Sequence, residues 1–342
     1  MAKLAVVLFN LGGPDSPEAV RPFLFNLFND PAIIGAPGPI RRALAWFISK
    51  KRAPVAREIY AQIGGRSPLL PLTEAQGDAL ATAIGGEVKV FIAMRYWHPF
   101  TDETVRKVKE WGADQVVLLP LYPQYSRTTS GSSLKEWALQ AARFGLNVPT
   151  TTICCYPTEE GMIEAQADLL KAALDKAGAN PRILFSAHGL PKSVIEKGDP
   201  YQAHVEMTAA AIAKAVGRPD LDWRVSYQSR VGPMEWIGPS TDAEIEKAGA
   251  EGKALVVMPV AFVSEHSETL VELDIEYGHL AKQSGVPIYV RVPALGTHPK
   301  FISALADLVS RALMSGCNPC SEKGGRICAA DRKNCAHQGK AI

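Results

Sequence analysis

The chain has 342 residues, enough for two domains, and its 47% apolar content supplies a core for each, which excludes intrinsic disorder. Its 37 basic and 35 acidic side chains leave a formal charge of +2, too balanced for a protein whose main partner is nucleic acid. The most apolar run, residues 254–263, is broken by Pro259 and falls well short of the ~20 residues a bilayer-spanning helix needs.

In chain order, the first ten residues carry one lysine and no small-residue cleavage site, so they read as a strand rather than a leader, and a cytoplasmic protein is expected. From there, β-rich runs alternate with stretches of helical period. The runs fall at residues 5–10, 88–94, 115–121, 151–155, 183–187, 223–227, 255–263 and 288–292. Several are apolar throughout, as strands covered on both faces must be, and alternation of β with α selects a parallel α/β fold. The strands divide into two sets of four. Val117-Leu118-Leu119-Pro120-Leu121 resembles Val256-Val257-Met258-Pro259-Val260, and Asn10-Leu11-Gly12-Gly13-Pro14 loosely resembles His188-Gly189-Leu190-Pro191. A duplicated, doubly wound, four-stranded unit is expected, over residues 1–150 and 151–312, with a Cys-rich extension over 313–342. Ligands of such sheets bind beyond the strand C-termini, so the residues that follow strands are the ones to weigh.

Residues 31–52 contain five bases and no acid, and Ile40, Leu44, Phe47 and Ile48 share a helical face. Such a helix can lie in a membrane interface, form a lip over a pocket, or pack its apolar face on the domain. Arg95-Tyr96-Trp97-His98 follows the second strand, the segment from Tyr122 to Gly131 the third, and Tyr227-Gln228-Ser229-Arg230 with Trp236 the sixth. Aromatic rings beside arginines and hydroxyls suit a large flat ligand that bears carboxylates.

His188 ends the fifth strand and precedes Gly189, a turn that would present a base at the crevice. After the seventh strand, Glu268, Glu272 and Glu276 recur every four residues, with Glu265 and His266 just before them. No Lys or Arg occurs between Lys253 and Lys282, so the stretch keeps its negative potential along the sequence. A carboxylate ladder beside an imidazole can attract a divalent cation and pass protons outward. Cys317, Cys320, Cys328 and Cys335 crowd the tail, enough for a tetrahedral zinc or an iron–sulfur cluster, whereas Cys154 and Cys155 read as core. No G-x-G-x-x-G follows the first strand and no Walker A or G-x-S-x-G motif is present, so neither a nucleotide cofactor nor serine-hydrolase chemistry is expected.

Leu184-Phe185-Ser186-Ala187-His188-Gly189-Leu190-Pro191, Gly198-Asp199-Pro200-Tyr201, the segment from Tyr227 to Met234 with Trp236, and the ladder from Glu265 to Tyr277 resemble the ferrochelatase family over residues 1–312. The resemblance implies two Rossmann-like, chelatase-type domains and a lyase that inserts Fe²⁺ into protoporphyrin IX, with the porphyrin clamped between the domains. It implies His188 and Glu268 as the catalytic pair that meets iron, and His266, Glu272 and Glu276 as a proton or metal path. Arg95, Tyr96, Tyr122 and Trp236 are the implied pocket residues, with Arg52, Ser67 and Ser229 near the propionates. It further implies a [2Fe–2S] cluster. The distant cysteine of animal members is replaced here by Arg127, so the ligands would be Cys317, Cys320, Cys328 and Cys335. Expected partners are protoporphyrin IX and ferrous iron, with peripheral contact on the inner face of the membrane and a homodimer as further expectations. Another tetrapyrrole or metal, such as coproporphyrin or cobalt, and a non-catalytic porphyrin carrier are the rival readings.

Overall fold

The structure is a computed structural model and describes residues 2–229 and 234–337. Arg230, Val231, Gly232 and Pro233, part of the motif after the sixth strand, lie outside the described residues. All eight expected strands form. The first half runs β1 (Leu4–Asn10), α1 (Val20–Phe28), α2 (Gly38–Ala61), α3 (Leu69–Ile84), β2 (Val88–Met94), α4 (Thr101–Trp111), β3 (Gln115–Pro120), α5 (Ser130–Phe144) and β4 (Thr150–Cys155). After α6 (Glu160–Ala177) the second half follows: β5 (Arg182–His188), α7 (Lys192–Glu196), α8 (Tyr201–Val216), β6 (Asp222–Gln228), α9 (Thr241–Ala250) and β7 (Leu255–Pro259). A π-helix (Glu268–Glu276), α10 (Tyr277–Gln283), β8 (Tyr289–Arg291), α11 (Pro299–Ser315) and β9 (Cys320–Ser321) complete the chain.

The duplication is visible in the topology. One sheet has the order β2-β1-β3-β4-β9 and the other β6-β5-β7-β8, so the same four-strand winding occurs twice. The similar Leu-Pro and Met-Pro segments occupy equivalent registers: Phe9 faces Pro120 in one sheet and Ser186 faces Pro259 in the other. Past each proline the next amide closes onto the central strand, Leu121 N on Phe9 O at 2.9 Å and Val260 N on Ser186 O at 3.0 Å.

Three expectations are corrected. The first sheet has five strands rather than four, because the two-residue β9 pairs with β4 (Ile153 with Cys320, Cys155 with Ser321), a contact too short to leave a pattern in sequence. β4 extends past residue 150 yet belongs to the first sheet. β7 stops at Pro259, and beyond the Val260 amide the apolar run leaves the ladder; Ala261, Phe262 and Val263 line the cleft instead. Their hydrophobicity serves a ligand surface, which a strand pattern cannot distinguish from a sheet interior.

One core joins both halves. Leu8, Leu119 and Ile153 of the first sheet and Phe185 and Met258 of the second bury against the same cluster, bridged by Leu170 and Leu174 of α6 and Phe301, Leu305 and Leu308 of α11. That shared core places the ends of the two sheets around one opening.

Candidate active site

Asn10 and Leu11 after β1, Leu121, Tyr122 and Gln124 after β3, His188 at the end of β5 and Ala261, Phe262 and Val263 after β7 line a single cleft. It holds about 1050 Å³ including its open mouth, with walls that are mostly apolar. Both halves therefore contribute walls, as the crevice rule for parallel sheets requires.

At the inner end, His188 Nδ1 lies 2.9 Å from Glu268 Oε2, and His266 Nε2 lies 3.8 Å from the same oxygen. One carboxylate thus sits between two imidazoles. Burial pushes the Glu268 carboxyl up, but the facing His188 outweighs it and holds the group down at about 2. Burial would lower His188, yet Glu268 and Glu272 lift it above its ordinary value. The His188 side chain is 39% exposed, and its open side faces the cleft. His266 has no compensating hydrogen bond on its buried Nδ1; burial lowers its pKa and keeps it neutral.

The ladder continues on the π-helix, whose i→i+5 closure is seen where Tyr277 N donates to Glu272 O. This corrects the expectation of a straight α-helical stack. The wider turn leaves Glu268 on the cleft, Glu272 half-buried and Glu276 exposed. Glu272 accepts from Ser229 N at 2.8 Å, Gln228 Nε2 at 3.1 Å, the Ser229 hydroxyl and Tyr277 Oη at 3.3 Å. Burial, together with the Glu268 charge, raises its pKa. Nor is the acidic stretch uncompensated in space. Arg291 of β8 meets Glu265 at 2.5 Å and Asp274 at 2.6 Å, so Glu265 belongs to a structural ion pair. A base on another strand is invisible to a local scan of sequence.

A family model for ferrochelatase matches residues 3–313. The chain belongs to the ferrochelatase family. Ferrochelatases of Caulobacter vibrioides and Phenylobacterium zucineum are 57% and 55% identical to it, the first covering 97% of both chains and the second 98% of both. The sirohydrochlorin chelatase SirB from Bacillus subtilis subspecies spizizenii, in complex with cobalt, shares the fold, with a TM-score of 0.54, 11% identity and coverage of 92% of this chain and 97% of that one. The protein is thus a metal chelatase of the lyase class with ferrous iron as substrate, built on the two-domain α/β chelatase fold.

The other residues singled out from sequence fall into three positions. Tyr96 and Tyr122 line the cleft, both with phenols that burial keeps protonated. Arg95 lies behind the wall: it pairs with Asp30 at 2.9 Å, and the same Oδ2 of Asp30 accepts from Tyr96 Oη at 2.9 Å and Ser132 Oγ at 2.5 Å. Asp30 carried no sequence signal, since only the fold brings it under Tyr96. Ser67 is buried against Gly13 and accepts from Leu69 N, so it shapes the wall from behind Leu69. Arg52 is exposed beside the Phe28 ring, Ser229 binds Glu272, and half-buried Trp236 bridges Pro191 outside the lining. The structure also adds lining residues with no motif of their own, Leu27 and Leu69, while Ile33 comes from the 31–52 segment expected as a lip.

In α2 the buried residues are Ala45, Ser49 and Ala53, one per turn, and Tyr60 near its C-terminal end. The apolar face therefore points outward, with Ile40 56%, Trp46 51% and Phe47 61% exposed. Of the face expected from the sequence, Ile40, Leu44 and Phe47 are exposed and Ile48 is half-buried. The tail thiols fall into two groups. Cys320 Sγ contacts Cys317 O and Ser315 Oγ, while Cys328 Sγ contacts His204 Nε2 at 3.3 Å and interacts with Cys335. Among the described residues no three His, Cys, Asp or Glu side chains converge as metal ligands. Cys154 lies beside members of both pairs, near Cys320 on one side and Cys335 on the other, and as arranged the four tail thiols do not form a ligand set.

Proposed function

We propose that the cleft binds protoporphyrin IX and that His188, backed by Glu268, removes the pyrrole protons as ferrous iron enters, giving protohaem and two protons. The carrying observation is the single carboxylate between two imidazoles at the end of an apolar cleft. A free-base porphyrin must lose two N–H protons before its four nitrogens can take the metal. Neutral His188 accepts a proton, and the Glu268 carboxylate stabilises the resulting imidazolium. Glu272, raised by burial, is the next acceptor, and exposed Glu276 opens the path to water. Glu268 and the neutral imidazoles are also the donors offered to Fe²⁺ during exchange. Tyr96, Tyr122 and the apolar wall hold the macrocycle and keep water out.

Anaerobic mixing of the purified protein with Fe²⁺ and either protoporphyrin IX or coproporphyrin, followed by haem absorbance, tests the reading. Turnover with a preference for protoporphyrin is expected. Tight binding without haem formation would make the protein a carrier, and preference for coproporphyrin would move the substrate assignment.

Peripheral association with the inner face of the membrane is supported by the outward apolar face of α2 beside exposed Arg42, Lys50 and Lys51. Phe47→Ser should weaken co-flotation with anionic vesicles, and unchanged flotation would end this part of the proposal. A [2Fe–2S] cluster on Cys317, Cys320, Cys328 and Cys335 is supported by cysteine content and opposed by the split of the thiols. Stoichiometric iron with acid-labile sulfide would establish it, and zinc without sulfide would overturn it. Sedimentation of the same sample tests the homodimer.

A further inference from the structure

The cysteine-bearing tail is bound to the segment that follows α7, and this segment in turn holds the backbone of His188. Asn334 N donates to Gly198 O at 3.1 Å and Asn334 Nδ2 to Lys197 O at 2.9 Å. Gly198 adopts φ +93°, and a Cβ there would meet Lys333 N at 2.7 Å, so the tail lies directly on the glycine backbone. One turn into α8, His204 Nδ1 accepts from Tyr125 N at 3.2 Å. The proton of the neutral ring must then sit on Nε2, which points at Cys328 Sγ 3.3 Å away, and the sulfur is the acceptor.

Between these two tail contacts sit Asp199 and Tyr201. Asp199, fully buried, accepts from Ser126 Oγ at 3.0 Å and Arg127 N at 2.9 Å with one oxygen, and from Tyr201 N at 3.0 Å with the other. Tyr201 Oη donates to His188 O at 3.1 Å. The hydroxyl thus fixes the carbonyl of the residue whose ring must face Glu268, and the carboxylate fixes the helix start that aims the hydroxyl.

We infer that Asp199 and Tyr201 are positioning residues for His188, and that residues 327–335 act as a clasp that holds them in register with the cleft wall at Ser126. This rests on His188 as the base. It assigns the tail a mechanical role carried by the Asn334 contacts and by the Cys328 contact with His204.

Tyr201→Phe removes one oxygen and leaves the packing ring. It should lower kcat about tenfold, the low end of what an outer partner of a working histidine contributes, with KM for porphyrin unchanged. A paired Cys328→Ala and Asn334→Ala variant should lower kcat in the same way. Combined with Tyr201→Phe it should cause little further loss, because both act on one element. Full kcat in Tyr201→Phe would remove the positioning role even while His188→Ala abolishes turnover, which separates this failure from a failure of the base assignment. If the tail losses multiply with that of Tyr201→Phe, or if the tail variant raises KM instead, the clasp does not act through Tyr201. Thermal melts of each variant show whether the fold persists, and Tyr201→Phe alone decides the positioning role should the tail variant not fold.

Discussion

The two halves share one frame and divide the chemistry. Both wind four strands in the same order, end the strand beside the central one on a proline, and close the next amide onto that central strand. Yet the first half presents neutral groups to the cleft, Tyr96, Tyr122, Leu11 and Leu69, and keeps its charges behind the wall, where Arg95 meets Asp30. The second half turns His188, His266 and Glu268 directly into the opening. A duplicated frame fixes where loops emerge, and the loops alone decide which side grips the macrocycle and which moves protons. Within the second half the same contrast recurs over three residues. Glu265 is locked to Arg291 and to Ala294 N, whereas among the described residues the Glu268 carboxylate meets the imidazoles of His188 and His266.

The largest test of that division pairs one variant from each wall. Glu268→Gln should lower iron insertion by about 10²–10⁴, the range for a lost acid–base group, while Tyr122→Phe should cost far less. Equal losses would break the comparison. Next is the pH profile. Glu268 lifts the His188 pKa above its ordinary 6.5, and only the neutral ring accepts a proton, so the acid limb of kcat/KM should lie above pH 6.5. In the residual activity of Glu268→Gln the main opposition to burial is gone and only the weaker Glu272 charge remains, so the limb should move down; a limb that stays put would remove His188 as the titrating base. Arg291→Ala should leave Glu265 without its cation and lower stability by about 3 kcal/mol, since breaking a largely buried pair strands a charge. Denaturant unfolding reads this, and a loss confined to turnover would instead place Glu265 with Glu268. The smallest effect is expected at Gly13→Ala, whose Cβ would fall 2.4 Å from Ser67: overpacking of about 1–3 kcal/mol, read as a lower Tm.

The strands, their two sets of four, His188 and the acidic run could all be read from the chain, because burial on both faces writes continuous apolar runs and because charge is local. The pairing of His188 with Glu268 was implied by the family resemblance and not by any local pattern, since the two lie 80 positions apart and meet only when β5 and β7 pair in parallel. The same limit hid Arg291 from Glu265, and Asp30 from Tyr96. Which face of α2 turns outward was also undecided, because over its first four turns the packing stripe is made of the small residues Ala45, Ser49 and Ala53.

By itself, then, the sequence determined the fold class, the repeat and the family, which are properties of pattern along a chain. Tertiary structure decided which carboxylate is structural and which is free for chemistry, that the ladder is a π-helix, and that the tail thiols separate. Those outcomes depend on distances of a few ångströms between elements remote in sequence, where burial and one nearby charge set the protonation of each group.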